Sequence, residues 1–110
     1  MKNSDFQNFQ EFWPFYLMEH SHPTNRRLHF IGTGTAILLL ILILASQSWV
    51  WLWALLLVGY GFAWVGHFVI QKNRPATFKY PLWSLMGDFK MFYCILTGKI
   101  NDEYAKIKNS

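Results

Sequence analysis

Charge is scarce in this chain and nearly absent from its middle. Only 15% of the 110 residues are Asp, Glu, Lys or Arg, and between Leu28 and Ile70 the ionisable side chains are His29, Tyr60 and His67. The basic residues that give the net charge of +4 do not form a run or a stripe, which excludes a nucleic-acid-binding surface. There is one cysteine, Cys94. It cannot close an internal disulfide, gives no sign of an oxidising compartment, and reads as a small buried hydrophobe. No internal repeat is visible, and no signal peptide is expected, because Asp5 and Glu11 precede the apolar run and that run begins late. The length allows one domain, residues 1–110.

What is abundant is apolar surface. Hydrophobic residues make up 53% of the chain and aromatics 19%, concentrated between Leu28 and Ile70. Residues 28–46 and 49–70 are each long enough to cross a bilayer at about 1.5 Å per residue. Gln47 and Ser48 between them permit only a tight antiparallel hairpin. Trp49, Trp51 and Trp53 belong at the far interface, and the flanking basic residues at the other end of both helices place both termini in the cytoplasm. Gly32 and Ala36 on the first crossing, and Gly59, Ala63 and Gly66 on the second, are spaced for close helix contact. The expected fold class is all-α: an integral membrane helical hairpin with flanking amphipathic or interfacial helices.

Residues 4–19 form the first of those flanking helices. Ser4 and Gln7 have capping-box spacing, and Phe6, Phe9, Trp13 and Tyr16 make an aromatic face that lies in the membrane interface or packs on the crossings. Pro14 is a candidate kink. Beyond the hairpin, residues 82–97 are apolar but interrupted by Gly87, Asp88 and Lys90, which suits an interfacial or re-entrant helix better than a third crossing. The last residues read as a polar, frayed end.

Three of the four histidines fall in HSHPTNRRLH, His20 to His29, at the entrance to the first crossing. Counted from Gln47, His29 lies 18 residues back and His67 lies 20 residues forward, so on antiparallel helices their depths differ by about 3 Å. Pro23 allows the chain to turn so that His20 and His22 reach the same mouth. An ionisable group inside a membrane helix is a functional hypothesis by default, and two at matched depth point to a metal. Imidazole suits iron, zinc, copper and nickel alike, and three histidines leave coordination positions open for catalysis. His22 is either a fourth ligand or a neighbour of the ligands. Arg74 at the same mouth suits the carboxylate of an acid whose tail stays in lipid, while Arg26 and Arg27 read as positive-inside anchors.

HSHPTNRRLH, followed downstream by GHFVIQKNRPA from Gly66 to Ala76, resembles the family of small membrane proteins typified by the fungal endoplasmic-reticulum 2-hydroxy fatty acid dioxygenase of fatty acid α-oxidation. The resemblance spans roughly residues 9–90. It implies an Fe(II)-dependent, 2-oxoglutarate-independent enzyme that removes one carbon from a 2-hydroxy fatty acid with dioxygen. His20, His29 and His67 match the metal-binding, catalytic histidines, and Asn25 and Arg74 match further motif positions, expected to bind substrate. Gln71 stands where many relatives have glutamate, and His22 where fungal relatives tend to have asparagine. The chain is also shorter than the eukaryotic members.

Two other readings stay open at this point. One is a bis-histidine haem protein of electron transfer, and the other a non-enzymatic membrane scaffold whose histidines only form hydrogen bonds. The dioxygenase reading carries a location in the inner or plasma membrane of a bacterium, or the endoplasmic reticulum of a eukaryote. It also carries contact with membrane lipid and an expected homo-oligomer, since a two-crossing hairpin is small for a long acyl chain.

Overall fold

The computed structural model describes residues 6–108. The first helix, α1 (Phe9–Glu19), starts where Asn8 accepts the Glu11 N–H at 2.9 Å and the Glu11 carboxylate accepts the Gln7 N–H at 2.9 Å. This reciprocal cap takes the place of the one expected at Ser4, which lies outside the described residues. Pro14 sits inside α1 on its exposed side.

The second helix, α2 (Pro23–Ser46), begins five residues before the apolar run does. Proline at the first helical position loses no hydrogen bond, so Pro23 opens the helix rather than merely breaking the chain. Gln47, in the left-handed conformation with φ 55°, ends it. The third helix, α3 (Trp49–Gln71), opens with a 3-10 turn at Trp49–Trp51 and is α-helical over Leu52–Trp64. It closes as a π-helix over Val65–Gln71. Both α2 and α3 are long and apolar enough to cross a membrane, and only 17% and 11% of their most apolar windows are buried. A helix hidden in a soluble core is mostly buried, and these two are not.

The small residues of the hairpin divide into two kinds. A Cβ on Gly32 would lie 2.8 Å from the Phe62 side chain, and one on Gly66 would collide with Asn25, so these two glycines do let the helices touch. Gly59 has nothing within 4 Å of where its Cβ would be. It faces open space.

A short 3-10 turn at Ala76–Phe78 leads into α4 (Pro81–Leu96). At 16 residues this helix spans about 24 Å, short of a bilayer core. Its other side presents Leu82, Leu85, Met86 and Phe89 outward.

The aromatic face of α1 packs on α4 and on the C-terminal helix, rather than on the hairpin. Phe12, Trp13, Tyr16 and Leu17 are buried with Met91 and Cys94, and Tyr80 meets the Phe12 ring edge-on while Trp83 lies tilted against it. Each such side chain contributes about 1.5–3 kcal/mol through burial. The polar tail, expected to fray, is a helix as well: α5 (Ile100–Lys108). Ile100, Tyr104 and Ile107 fall on one face and join the core, while Asp102 and Glu103 in its first turn and Lys106 and Lys108 in its last complement the helix dipole. The indole N–H of Trp13 donates to Glu103 Oε1 at 2.9 Å, and the Tyr104 hydroxyl reaches the carbonyls of Leu17 at 2.7 Å and His20 at 3.0 Å.

Candidate metal centre

His20 ends α1, His29 lies in the second turn of α2, and His67 sits in the π-helical end of α3. All three are buried, at 1%, 5% and 2% exposure. His20 Nε2 lies 3.0 Å from His29 Nε2 and 3.0 Å from His67 Nε2.

The proton on each ring is fixed by what the other nitrogen meets. Nδ1 of His20 is 2.8 Å from the Tyr16 carbonyl, and Nδ1 of His29 is 3.1 Å from the Asn25 carbonyl. A carbonyl only accepts, so both Nδ1 atoms carry the hydrogen. His67 Nδ1 is 2.7 Å from Asn73 Oδ1, and the Asn73 amide group donates in turn to the backbone and side-chain oxygens of Glu19. His67 is therefore protonated at Nδ1 too. The three Nε2 atoms hold bare lone pairs and face one another.

The His20 Nε2 lone pair lies 3.0 Å from those of both His29 and His67, and lone pairs this close repel unless a cation lies among them. Two nitrogens each about 2.1 Å from one ion, at about a right angle around it, are about 3.0 Å apart. The residues present therefore fit a metal ion, held through Nε2 by three neutral imidazoles with Nδ1 anchored outward, the usual arrangement of metal-bound histidine. Among the described residues, these three form the group of His, Cys, Asp and Glu placed to hold an ion. The ring centroids lie 4.3 to 4.9 Å from one another, which leaves no room for the plane of a haem between them.

The surroundings hold each ring in place. Tyr16 stacks on His20 with centroids 4.1 Å apart. Burial, and then the neighbouring His29 and His67, keep the His20 imidazole well below its ordinary value and so neutral at neutral pH. Arg26 donates to the carbonyls of His20 at 3.0 Å and Ser21 at 2.8 Å, and its guanidinium lies 4.6 Å from the Tyr104 ring centre. In α3, left-handed Lys72 (φ 61°) turns the chain so that Asn73 N–H reaches the His67 carbonyl at 2.9 Å while its side chain meets the His67 ring. The wider π turn absorbs extra residues and brings His67 level with His29.

The other candidate residues lie around these three rather than among them. His22 is exposed and caps α2, its Nδ1 accepting the Thr24 N–H at 3.2 Å. Asn25 is fully buried between α2 and Gly66; its Nδ2 donates to Gln71 Oε1 at 3.2 Å, and its Oδ1 has no partner. Gln71 also accepts the His22 N–H at 2.9 Å and donates to Ser21 Oγ at 2.8 Å, so it straps the segment before α2 to the end of α3. Arg74 lies with its guanidinium 5.4 Å from the Phe78 ring centre, in a cleft with Phe15 and Glu19. The wall formed by Pro75 and Ala76 separates that cleft from the histidines.

The histidines open into a cavity of about 240 Å³. Towards the hairpin it is lined by apolar and small residues, including Ala36, Leu55, Gly59 and Ala63; on the α4 side it meets Ser84 and Asp88. Tyr16 donates its hydroxyl to Asp88 Oδ1 at 2.5 Å. Burial pushes the Asp88 carboxyl up to about 7, against the opposing pull of the Tyr16 hydrogen bond, and burial followed by the Asp88 charge raises Tyr16 well above its ordinary value. Neither Asp88 nor Tyr16 stands out in the sequence as part of the site. Asp88 shows only as an interruption of an apolar run, and Tyr16 as one aromatic among many.

Searches of curated proteins and of solved structures return no match. The family model described as "2-hydroxy-palmitic acid dioxygenase Mpo1-like" matches residues 6–100, a stretch that contains all three converging histidines, Asn73 and the polar residues of α4. On that match over most of its length, the chain belongs to the Mpo1-like family of 2-hydroxy-palmitic acid dioxygenases.

Proposed function

We propose that the protein is an Fe(II)-dependent, 2-oxoglutarate-independent dioxygenase that shortens 2-hydroxy fatty acids by one carbon. In the balanced reaction, R–CH(OH)–COOH and O₂ give R–COOH, CO₂ and H₂O. The observation that carries this reading is the convergence of three deprotonated Nε2 atoms on the wall of a largely apolar cavity. Family membership supplies the substrate class. Iron(II) held by three imidazoles would supply open coordination positions and redox capacity for dioxygen and substrate together.

The chain's own residues do the rest. Asn73, Tyr16 and the Asn25 carbonyl keep the three rings in the tautomer and orientation that leave Nε2 free. Asn25 thus acts by positioning His29 and by tying α2 to Gln71, instead of touching the acid. The apolar side of the cavity takes the first part of the acyl chain and excludes water from the reacting carbons. Arg74, beyond the Pro75 and Ala76 wall, meets the carboxylate at the surface before the acid enters. The hairpin crosses a membrane with both termini on the cytoplasmic side, as its flanking basic residues favour, and substrate reaches the cavity from the lipid.

The test is metal analysis of detergent-purified protein prepared without oxygen, paired with oxygen uptake on addition of 2-hydroxyhexadecanoic acid. One iron per chain and substrate-dependent uptake, with a product one carbon shorter, are expected. Folded protein without bound metal, or equal uptake by the His67→Gln variant, would sink the assignment.

A further inference from the structure

Two polar side chains on one face of α4 have no task in the metal site. Ser84 and Asp88 are four residues apart, one helical turn, and both line the cavity. Ser84 is 2% exposed and its hydroxyl has no hydrogen-bond partner among the described residues. Helical hydroxyls commonly bond back to the carbonyl four residues earlier, as Ser46 does to Leu42 and Thr97 does to Tyr93. Ser84 does not. Asp88 lies one turn further along the same wall, where its Oδ1 accepts from the Tyr16 hydroxyl. A buried polar group without a partner is unfavourable, and here one lies a helical turn from a carboxylate on the wall of a cavity.

Their place relative to the histidines is set by one tyrosine. The Tyr16 ring is stacked on His20 while its hydroxyl is on Asp88. The polar strip therefore begins one aromatic ring from the converging Nε2 atoms, and the opposite wall, from Ala63 and Trp64, offers little but apolar surface. A ligand with a polar head at the metal and an apolar tail in the hairpin meets Ser84 and Asp88 at the head.

We propose that Ser84 and Asp88 form the subsite that reads the 2-hydroxy acid head group, Asp88 Oδ2 accepting a hydrogen bond from the 2-hydroxyl and Ser84 Oγ donating to a carboxyl oxygen. This rests on the dioxygenase reading and deepens it. It makes the two residues determinants of the selection of a 2-hydroxy acid over the unsubstituted acid. Because burial raises Asp88 towards neutrality, its carboxyl does not set a permanent negative charge against that of the ligand.

The experiment is anaerobic equilibrium binding of 2-hydroxyhexadecanoic acid and of hexadecanoic acid to the full chain with its metal in detergent, with metal stoichiometry and thermal midpoint measured for every sample. The wild-type protein should prefer the hydroxy acid by about 10- to 100-fold, the ratio one hydrogen bond to a charged or strongly polar partner supplies. Asp88→Asn and Ser84→Ala should each narrow that ratio, and the double variant should bring it close to one, with the metal retained. Ser84→Ala removes only an unpartnered hydroxyl, so its fold is not at risk. An undiminished ratio in all three variants would mean that the metal alone selects the substrate, and would overturn the proposal while leaving the dioxygenase reading intact. Wild-type protein that holds metal yet binds both acids equally would overturn it too. Wild-type protein that holds no metal and binds neither acid would remove both.

Discussion

The His67 ring donates from Nδ1 to Asn73 Oδ1 at 2.7 Å across the left-handed turn at Lys72. That bond fixes which nitrogen of His67 is free, and Asn73 is itself fixed by Glu19. Asn73→Ala should therefore weaken metal binding by about 10- to 100-fold, the usual loss on removing such a partner. Asn73→Asp, which keeps the acceptor, should lose less. A competition titration with a chromogenic chelator reads both, and equal affinities in all three proteins would show that the bond does not matter.

His22 and His29 are seven positions apart and should behave oppositely. His29→Ala removes one of the converging nitrogens and should abolish stoichiometric metal. His22→Ala removes only a helix cap, at a cost of about 1 kcal/mol in stability, and should keep the metal. Elemental analysis of the two purified variants decides the matter; loss of metal from the His22 variant would make it a ligand after all.

Asp88 gives the chain a characteristic pH dependence. Its carboxyl is pushed from an ordinary 3.8 up to about 7 in the folded protein. Between those values the native chain holds a proton that the unfolded chain has lost. Unfolding then releases a proton, so stability from this group is complete below about pH 4, declines as pH rises to about 7, and changes no further above it. The decline is on the order of a few kcal/mol at most. Thermal midpoints in detergent at the two ends of that window should differ in this direction for the wild-type chain and much less for Asp88→Asn. Parallel behaviour of the two proteins would contradict it.

Gly59 lies eight residues from His67 along α3, about 12 Å, and faces the cavity with nothing near its Cβ position. Gly59→Leu should fit without disturbing the backbone and fill the apolar end. Turnover of long 2-hydroxy acids should fall by about tenfold or more, short ones should be spared, and metal content should not change. Chain-length profiles of oxygen uptake test this; uniform loss across all lengths would mean that the tail runs elsewhere.

Much of this arrangement is legible in the sequence because it depends on counting. Apolar length gives α2 and α3, and the distances of His29 and His67 from Gln47 give their common depth. The meeting of His20 with both is legible only through the Pro23 turn and the motif. The details that make the site work are not a matter of counting. A π-helical end to α3 has no residue signature, and Asn73 is one polar residue in a polar loop. Tyr104 lies in a tail too short and too charged to suggest that it holds the His20 carbonyl. The small residues teach a related lesson: Gly32 and Gly66 serve packing, whereas Gly59 serves space, and spacing alone does not tell the two apart.

The Tyr104 hydroxyl reaches the carbonyl of His20 across 84 residues of chain. That span gives the centre an order of assembly. When His20 and His29 have left the ribosome, His67 does not yet exist in folded form; when His67 is in place, the helix that clamps His20 from behind is still to be made. The completed centre therefore waits for Tyr104, and its formation during synthesis would report that the chain has been delivered and folded as far as α5.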